Sequence, residues 1–228
     1  MQESFNSFPI RIDESRTARY RWENKPVIGS VLLDSMEDSA TWQHIGVGEM
    51  TFTSERSVDG EKSLRLISKT KRKVDRDPED RASYGRPFGE AVARRVFNGE
   101  DWRAYNRLSF WVYPTLPGFR VISMYVVLHN DGEIKIPDSY EREGLHFFLL
   151  KPDQWNHVVW EIASLPRDKV TAVDIIYRMQ GNEPGATDTV IFDIDRLELQ
   201  KVEADYYEGW GVAPGRISYS HTGYQAGS

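Results

Sequence analysis

The residues of this sequence that could do chemistry are aromatic and polar side chains at alternating positions of β-favouring segments. In 108–113 the period of two puts Trp111 and Tyr113 on the face opposite Leu108, Phe110 and Val112. The segments 120–130 and 170–180 add polar and aromatic residues in the same alternating way. The candidates for ligand contact are therefore Trp111, Tyr113, Tyr125, His129, Arg178 and Gln180.

A flat aromatic ring beside hydrogen-bonding groups suits a sugar. The apolar C–H face of a pyranose stacks on Trp or Tyr, and its hydroxyls need donors and acceptors. If 108–113 pairs with 120–130, Tyr125 lies on the same side as Trp111, and we predict that the two stack a glycan. In the alternative interpretation, Trp111 and Tyr125 pack under an N-terminal arm or a long loop and bind nothing. The exposure of Trp111, Tyr113 and Tyr125 separates the two.

Catalytic signatures are missing from the sequence. A glycosidase needs two carboxylates about 5–10 Å apart, and nothing pairs the strand acids Glu161 and Asp174. There is no G-x-S-x-G, no H-E-x-x-H and no phosphate-binding glycine loop. The five histidines have no metal-ligand spacing. We therefore predict a chain without catalytic residues.

Composition narrows the classes of partner. The chain has 228 residues, a formal net charge of −6 and no cysteine, which excludes disulfides and thiolate-ligated metals. The acidic balance argues against nucleic acid, since a phosphate backbone favours a basic surface. No apolar run approaches the roughly 20 residues of a membrane span. The first fifteen residues lack the apolar segment of a signal peptide, so the protein is intracellular or the sequence is a mature form.

Short β-favouring segments recur along most of the chain, separated by turn residues and without long amphipathic helices. This spacing predicts an all-β fold, an antiparallel β-sandwich or barrel. Residues 1–26 are polar and predict an extended N-terminal arm, 27–200 hold the strands, and 201–228 are rich in Gly, Tyr and Ser, which indicates a linker and the start of another domain. The charge-dense segment 69–88 predicts a long exposed loop.

Five stretches resemble, in order and spacing, the jelly-roll carbohydrate-binding modules of the galactose-binding-domain-like group. They are LLDSMEDSATW, DGEKSLRL, DWRAYNRLSFWVYP, LLKPDQWNHVVWEI and TVIFDIDRLEL, and the charged loop at 69–88 departs from the pattern. The resemblance covers roughly 27–200 and implies a jelly-roll sandwich. It also assigns Trp102, Trp155 and Trp160 to the core or to loop anchoring.

The same resemblance implies a structural calcium ion. In these modules a turn carboxylate, an oxygen from the following turn and an aspartate of the last strand meet at one edge, and Ca²⁺ takes about six to eight oxygen ligands. The matching positions here are Glu37, Gly60, Glu61 and Asp193. In the other interpretation, Glu37 is a solvated turn residue and Asp193 an ordinary strand residue.

The tail carries a second resemblance. ISYSHTGYQAGS is similar to the first strand of the immunoglobulin-like domain that precedes the catalytic domain in family-nine glycoside hydrolases, without its usual Asn-Gln pair. Together the resemblances imply a non-catalytic carbohydrate-binding accessory domain, joined to the catalytic domain of a polysaccharide-degrading enzyme and secreted, periplasmic or at the cell surface. Its partner would be a polysaccharide or oligosaccharide. The alternative is a structural spacer domain that packs against the catalytic domain and has no ligand.

Overall fold

The computed structural model describes residues 18–70, 89–132, 144–179 and 184–203. These ranges contain one short helix, α1, and eleven strands numbered β1 to β11 in chain order. Their bounds are α1 Ala18–Glu23, β1 Val27–Asp34, β2 Trp42–Gly46, β3 Glu49–Thr53, β4 Ser63–Lys69, β5 Glu90–Glu100, β6 Arg107–Thr115, β7 Ile122–Asn130, β8 Leu145–Leu150, β9 Asn156–Glu161, β10 Val170–Arg178 and β11 Thr189–Val202.

The strands form two antiparallel sheets. Sheet A has the order β3-β4-β11-β6-β9, and sheet B has the order β2-β5-β10-β7-β8. Strand β11 is long enough to take two partners on one side: its first half pairs with β4 and its second half with β1. The predicted antiparallel jelly-roll sandwich is therefore confirmed.

The core lies between the two sheets and follows the alternation of the strands. In sheet A, the side chains of Leu108, Phe110 and Val112 are completely buried, and Met124 and Ile175 face them from sheet B. Burying side chains of this size stabilises the fold by roughly 1.5–3 kcal/mol each. The inward positions that the sequence pattern predicts in β6 and β7 are therefore confirmed.

The predicted pairing of 108–113 with 120–130 is wrong. Strand β6 pairs with β9 and β11, whereas β7 pairs with β8 and β10 in the other sheet. Between them, Leu116 and Phe119 are buried in the core, so the connection crosses from one sheet to the other. A period-two pattern shows which side chains face the core, and it is the same for adjacent strands and for strands that face each other.

Two local elements differ from the sequence interpretation. Part of the predicted extended arm is helical, and the helix is held by Arg107, which donates hydrogen bonds to the carbonyls of Trp22 and Glu23. Strand β2 was not predicted. It ends at Gly46, where φ is +85° and a Cβ would lie 2.0 Å from the carbonyl oxygen of Glu90.

None of the described helices is long and apolar enough to cross a membrane.

Candidate functional site

The predicted ligand residues divide between the two outer faces of the sandwich. Trp111 and Tyr113 face outward from β6 in sheet A, whereas Tyr125, His129 and Arg178 lie on the outer face of sheet B. Gln180 lies outside the described residues. The expectation that Trp111 and Tyr125 share one face is therefore wrong, and the error follows directly from the wrong strand pairing.

On sheet A, the two predicted aromatics are half-buried and packed by neighbours. Trp111 stacks on the His157 imidazole with ring centroids 4.4 Å apart, and His157 Nε2 lies 2.8 Å from Ser109 Oγ. Tyr113 packs against the edge of Trp155, and the Arg56 guanidinium lies 4.1 Å above its ring. These contacts hold both rings in place and leave each of them partly exposed.

The rest of this face is a layer of buried charges. Arg107 pairs with Glu161 at 2.6 Å, and Lys25 reaches the same carboxylate at 3.2 Å. Asp193 has no exposed surface, and it accepts hydrogen bonds from Arg65 at 2.7 and 3.0 Å and from Arg56 at 3.1 Å. A buried carboxylate between two guanidinium groups is stable as an ion pair and unfavourable for a cation.

The four positions that resemble calcium ligands therefore do not form one oxygen cluster. Glu37 Oε1 accepts hydrogen bonds from the amides of Glu61 and Lys62, and a Cβ on Gly60 would lie 2.0 Å from that oxygen. The aspartate that reaches this turn is Asp195, whose carboxylate accepts the amides of Val58 and Asp59. Among the described residues, no group of three or more acids and histidines is arranged to hold a metal.

The outer face of sheet B carries an apolar row that crosses all five strands. Its members are in register, and three of them are buried while the two ends are exposed. Phe147, at the β8 end, is 59% exposed, and its ring lies 5.4 Å from the buried ring of Tyr125. The row consists of Ile45, Val92, Ile176, Tyr125 and Phe147.

A first charged network borders this row. Arg178 donates to Glu90 Oε1 from Nε at 2.9 Å, and its guanidinium lies 5.3 Å from the centroid of the Tyr125 ring. The Tyr125 hydroxyl also donates to Glu90 Oε1. Burial, followed by the hydrogen bond to Glu90, raises the pKa of Tyr125 above its ordinary value, so the hydroxyl stays protonated. The side chain of Arg178 is nevertheless 58% exposed.

A second network lies on the other side of the row. Arg94 donates two hydrogen bonds of 2.7 Å to the Asp174 carboxylate, and His129 Nε2 lies 2.9 Å from the same carboxylate. Burial by itself would raise the pKa of Asp174, but the hydrogen bonds from Arg94 and His129 lower it below its ordinary value. Because the Arg94–Asp174 pair is bidentate, it fixes the orientation of both side chains.

The two strand acids considered for catalysis are on opposite sheets. Glu161 is in the Arg107 pair on sheet A, and Asp174 is in the Arg94 pair on sheet B. Each carboxylate is held by a guanidinium group, and the core lies between them. They therefore do not form the pair of facing carboxylates that glycoside hydrolysis uses.

The sequence interpretation missed the most accessible aromatic of sheet B. The alternation in 145–150 places Phe147 and Leu149 opposite the buried Phe148 and Leu150, so the pattern contained the signal. It also missed Glu90 and Arg94, because only the register of β5 against β10 brings them to Arg178 and Asp174. Conversely, Tyr125 was expected to be exposed, and it is only 5% exposed.

No protein-family model matches this sequence, and no curated protein matches it. Among solved structures, the chain is similar to a family 11 carbohydrate-binding module from Clostridium thermocellum in complex with a β-1,3-1,4-mixed-linked tetrasaccharide. The identity is 12% and the TM-score 0.49, over 78% of this chain and 98% of that one.

Two further solved structures are also similar to this chain. A xylan-binding domain of family 22 has 16% identity and a TM-score of 0.43, over 77% of this chain and 94% of that one. The glycoside hydrolase domain of Endo-D from Streptococcus pneumoniae R6 has 14% identity and a TM-score of 0.46, over 72% of this chain and 22% of that one. These similarities are distant and carry no residue roles to this chain.

Proposed function

We propose that the protein is a non-catalytic carbohydrate-binding domain and that it binds a glycan on the outer face of sheet B. The observation that carries this proposal is the exposed Phe147 ring at the end of an apolar row, with an ordered ion-paired network on each side of that row. An apolar platform between fixed polar groups matches the two kinds of surface that a sugar presents.

The contacts of such a complex follow from the exposed groups. The C–H face of a sugar ring stacks on Phe147, and the Tyr125 ring packs beside Phe147. A glycan chain that runs along the row then places its hydroxyls near Arg178 and Glu90 on one side and near Arg94 on the other. Because each carboxylate is already paired with a guanidinium group, the face carries little net charge, and a neutral glycan suits it best.

The affinity of this site is expected to be weak. One stacked aromatic contributes about 1 kcal/mol and a few hydrogen bonds to charged groups contribute about 1.5–3 kcal/mol each before the cost of association is subtracted. Such a site gives a Kd between about a micromolar and a millimolar. Weak binding is useful to a domain that is joined to a second functional unit, since linkage raises the effective concentration of the ligand.

The proposed context is a polysaccharide-degrading enzyme. The catalytic domain would be in the same polypeptide, and the protein would be secreted, periplasmic or at the cell surface, because its polymeric substrate does not enter the cell. The resemblances of the tail and of the central strands support this context. Fractionation of the native cells, with detection by an antibody against this domain, tests the location.

A second candidate function is a structural spacer without a ligand, and a specific observation favours it. The edge strand β1 exposes several large apolar side chains, and Tyr125 is buried where an exposed platform was expected. Apolar side chains in one strand can pack against another domain. The exposed residues of β1 are Val27, Ile28, Val31 and Leu32.

Affinity gel electrophoresis tests the two candidates. Gels cast with plant and algal polysaccharides should retard the wild type, and Phe147→Ala and Arg178→Ala should each remove most of the retardation. Ile28→Ala is the matched control, because Ile28 is an exposed apolar residue on β1, away from the proposed site. A wild type that migrates freely through every polysaccharide would contradict glycan binding on this face and favour the spacer.

A further inference from the structure

A groove runs between the edge strands β8 and β9, at the side where sheets A and B meet. Its volume is about 400 Å³, within the roughly 300–1,000 Å³ typical of small-molecule sites. Phe147 and Leu149 form part of one wall, and Trp22 of α1 closes one side. The groove is thus a surface separate from the predicted ligand residues, and Phe147 lies at the boundary with the outer face of sheet B.

The aromatic rings that line the groove are held by neighbours on their other sides. Trp155 packs its ring against Tyr113 with centroids 5.6 Å apart, and the stack of Trp111 on His157 fixes the His157 ring. The Trp22 ring lies 6.5 Å from His146. Rings fixed in this way lose little freedom when a ligand stacks on them.

The polar groups of the groove are held by a tight turn. Asn156 accepts the amide of Lys151 on its Oδ1 and donates from Nδ2 to the carbonyls of Lys151 and Gln154. Within this turn, Asp153 has a φ of +56°. The turn therefore presents the exposed side chains of Lys151 and Gln154 at the rim from a defined backbone.

The two imidazoles of the groove are suited to a neutral partner. Burial lowers the pKa of His146 and of His157 below the ordinary value, so both rings are neutral at pH 7. A neutral imidazole has one donor and one acceptor, and because His157 Nε2 already lies 2.8 Å from Ser109 Oγ, His157 can offer a sugar hydroxyl only its other ring nitrogen. Glu23 and Lys151 add one charge of each sign to the lining, so the groove has no net attraction for an ionic ligand.

We propose that this groove is a second saccharide subsite, which holds about two rings of a neutral oligosaccharide between Trp22 and Trp155. The inference extends the proposed function to another surface, and Phe147 is the one residue that the lining of the groove shares with the site proposed on sheet B.

Fluorine NMR of the full chain labelled with 5-fluorotryptophan reports on the groove through Trp22 and Trp155, which both line it. The chain has seven tryptophans, and among the described residues none lies on the outer face of sheet B. The Trp22 and Trp155 resonances are assigned with the Trp22→Phe and Trp155→Phe variants. Titration with cello-, xylo-, manno- and laminari-hexaose should shift both resonances with at least one of these sugars.

Variants then separate the groove from the outer face of sheet B. Arg178→Ala should leave the shifts and their half-saturation concentration within twofold of wild type, since Arg178 does not line the groove. Trp155→Ala should raise the half-saturation concentration read at Trp22 about tenfold. If Trp155→Ala does not fold, the exposed Gln154→Ala should still raise it about two- to fivefold.

Each outcome decides between the two sites. If none of the four hexaoses shifts the Trp22 and Trp155 resonances, the proposal that the groove binds a saccharide is wrong. The proposed function on sheet B still stands in that case if the gels show retardation that depends on Arg178. Shifts of both resonances without any such retardation support the groove and contradict binding on sheet B. Shifts in Trp22 that persist unchanged in both Trp155→Ala and Gln154→Ala also overturn the groove.

Discussion

The outer faces of the two sheets carry similar residues but differ in how far those residues are exposed to solvent. Both carry carboxylates paired with arginines beside aromatic rings. On sheet A, the charges are covered: Asp193 is fully buried, and α1 lies at Arg107. On sheet B, Arg178 and Phe147 are more than half exposed. The same types of residue are therefore buried on one face and exposed to solvent on the other.

This difference shows that residue type alone does not determine whether an outward face is covered or exposed. An outward aromatic is held in place when other side chains pack on it, as His157 does on Trp111 and Arg56 does on Tyr113. The ion pairs follow the same rule, because a desolvated charge must keep its partner, whereas an exposed pair contributes little to stability. The substitutions below should therefore change unfolding on sheet A and glycan affinity on sheet B.

The largest effect is expected at Asp193. Asp193→Ala leaves the guanidinium of Arg65 without its buried partner, and breaking a buried pair of this kind costs about 3–5 kcal/mol of unfolding free energy. Urea denaturation followed by circular dichroism measures it. The matched control is Glu55→Ala, which removes the other, 61% exposed partner of Arg65 and should cost about 1 kcal/mol or less. Equal effects of the two substitutions would contradict the distinction between covered and open charges.

The next comparison concerns one aromatic from each sheet. Trp111→Ala removes the ring stacked on His157 and should cost about 2 kcal/mol of unfolding free energy, somewhat less than for a fully buried ring. The affinity of the folded fraction for a glycan bound on sheet B should be unchanged. Calorimetric titration and urea denaturation of the same preparation measure both quantities.

Phe147→Ala should behave in the opposite way. It removes an exposed ring, so the unfolding free energy should change by about 0.5 kcal/mol or less. Glycan affinity should fall about tenfold, which corresponds to about 1.4 kcal/mol. If Trp111→Ala weakened glycan binding and Phe147→Ala did not, the ligand would bind on sheet A or beside His157 in the groove, and the outer face of sheet B would not be the ligand face.

Acid should remove the contributions of His157 on sheet A and of Asp174 on sheet B in separate pH ranges. Burial lowers the pKa of His157 below 6.5, so the unfolded chain binds the proton more readily and stability is lost as the pH falls below about 6.5. The arginine and histidine bonds outweigh burial at Asp174 and lower its pKa below 3.8, so its contribution is lost only below about pH 4.

Thermal unfolding from pH 7 to pH 3 tests this order. His157→Gln should reduce the fall in midpoint between pH 7 and pH 5, and Asp174→Asn should reduce the fall below pH 4. A His157→Gln protein whose midpoint follows that of wild type through pH 5 would show that another group is responsible for the loss in that range.

The smallest effect is expected for calcium. Because Asp193 is bound by two arginines and Glu37 by two backbone amides, melting curves in EDTA and in excess Ca²⁺ should agree to about one degree. A bound ion at a hundredfold excess over its Kd would add roughly 2.7 kcal/mol and raise the midpoint by several degrees. Such a rise, if Glu37→Gln abolished it, would contradict this prediction and support a calcium site at the turn near Gly60.

The sequence by itself determined the fold class and the inward faces of the strands. The alternation in β6 and β7 predicted which residues are buried, because successive side chains of a strand point to opposite faces of the sheet. The segments of turn residues separated most of the strands. The alternation in β8 also indicated that Phe147 points outward, because its neighbour Phe148 faces the core.

Only the tertiary structure decided which outward residues are covered and which strands are neighbours. Local patterns do not specify partners distant in sequence, so the separation of Trp111 from Tyr125 depends on a connection that crosses the core. The pairing of Glu90 with Arg178, 88 residues apart, depends likewise on the register of two strands. Whether an aromatic ring supports the fold or meets a ligand is a property of what packs against it, and that packing exists only in the folded chain.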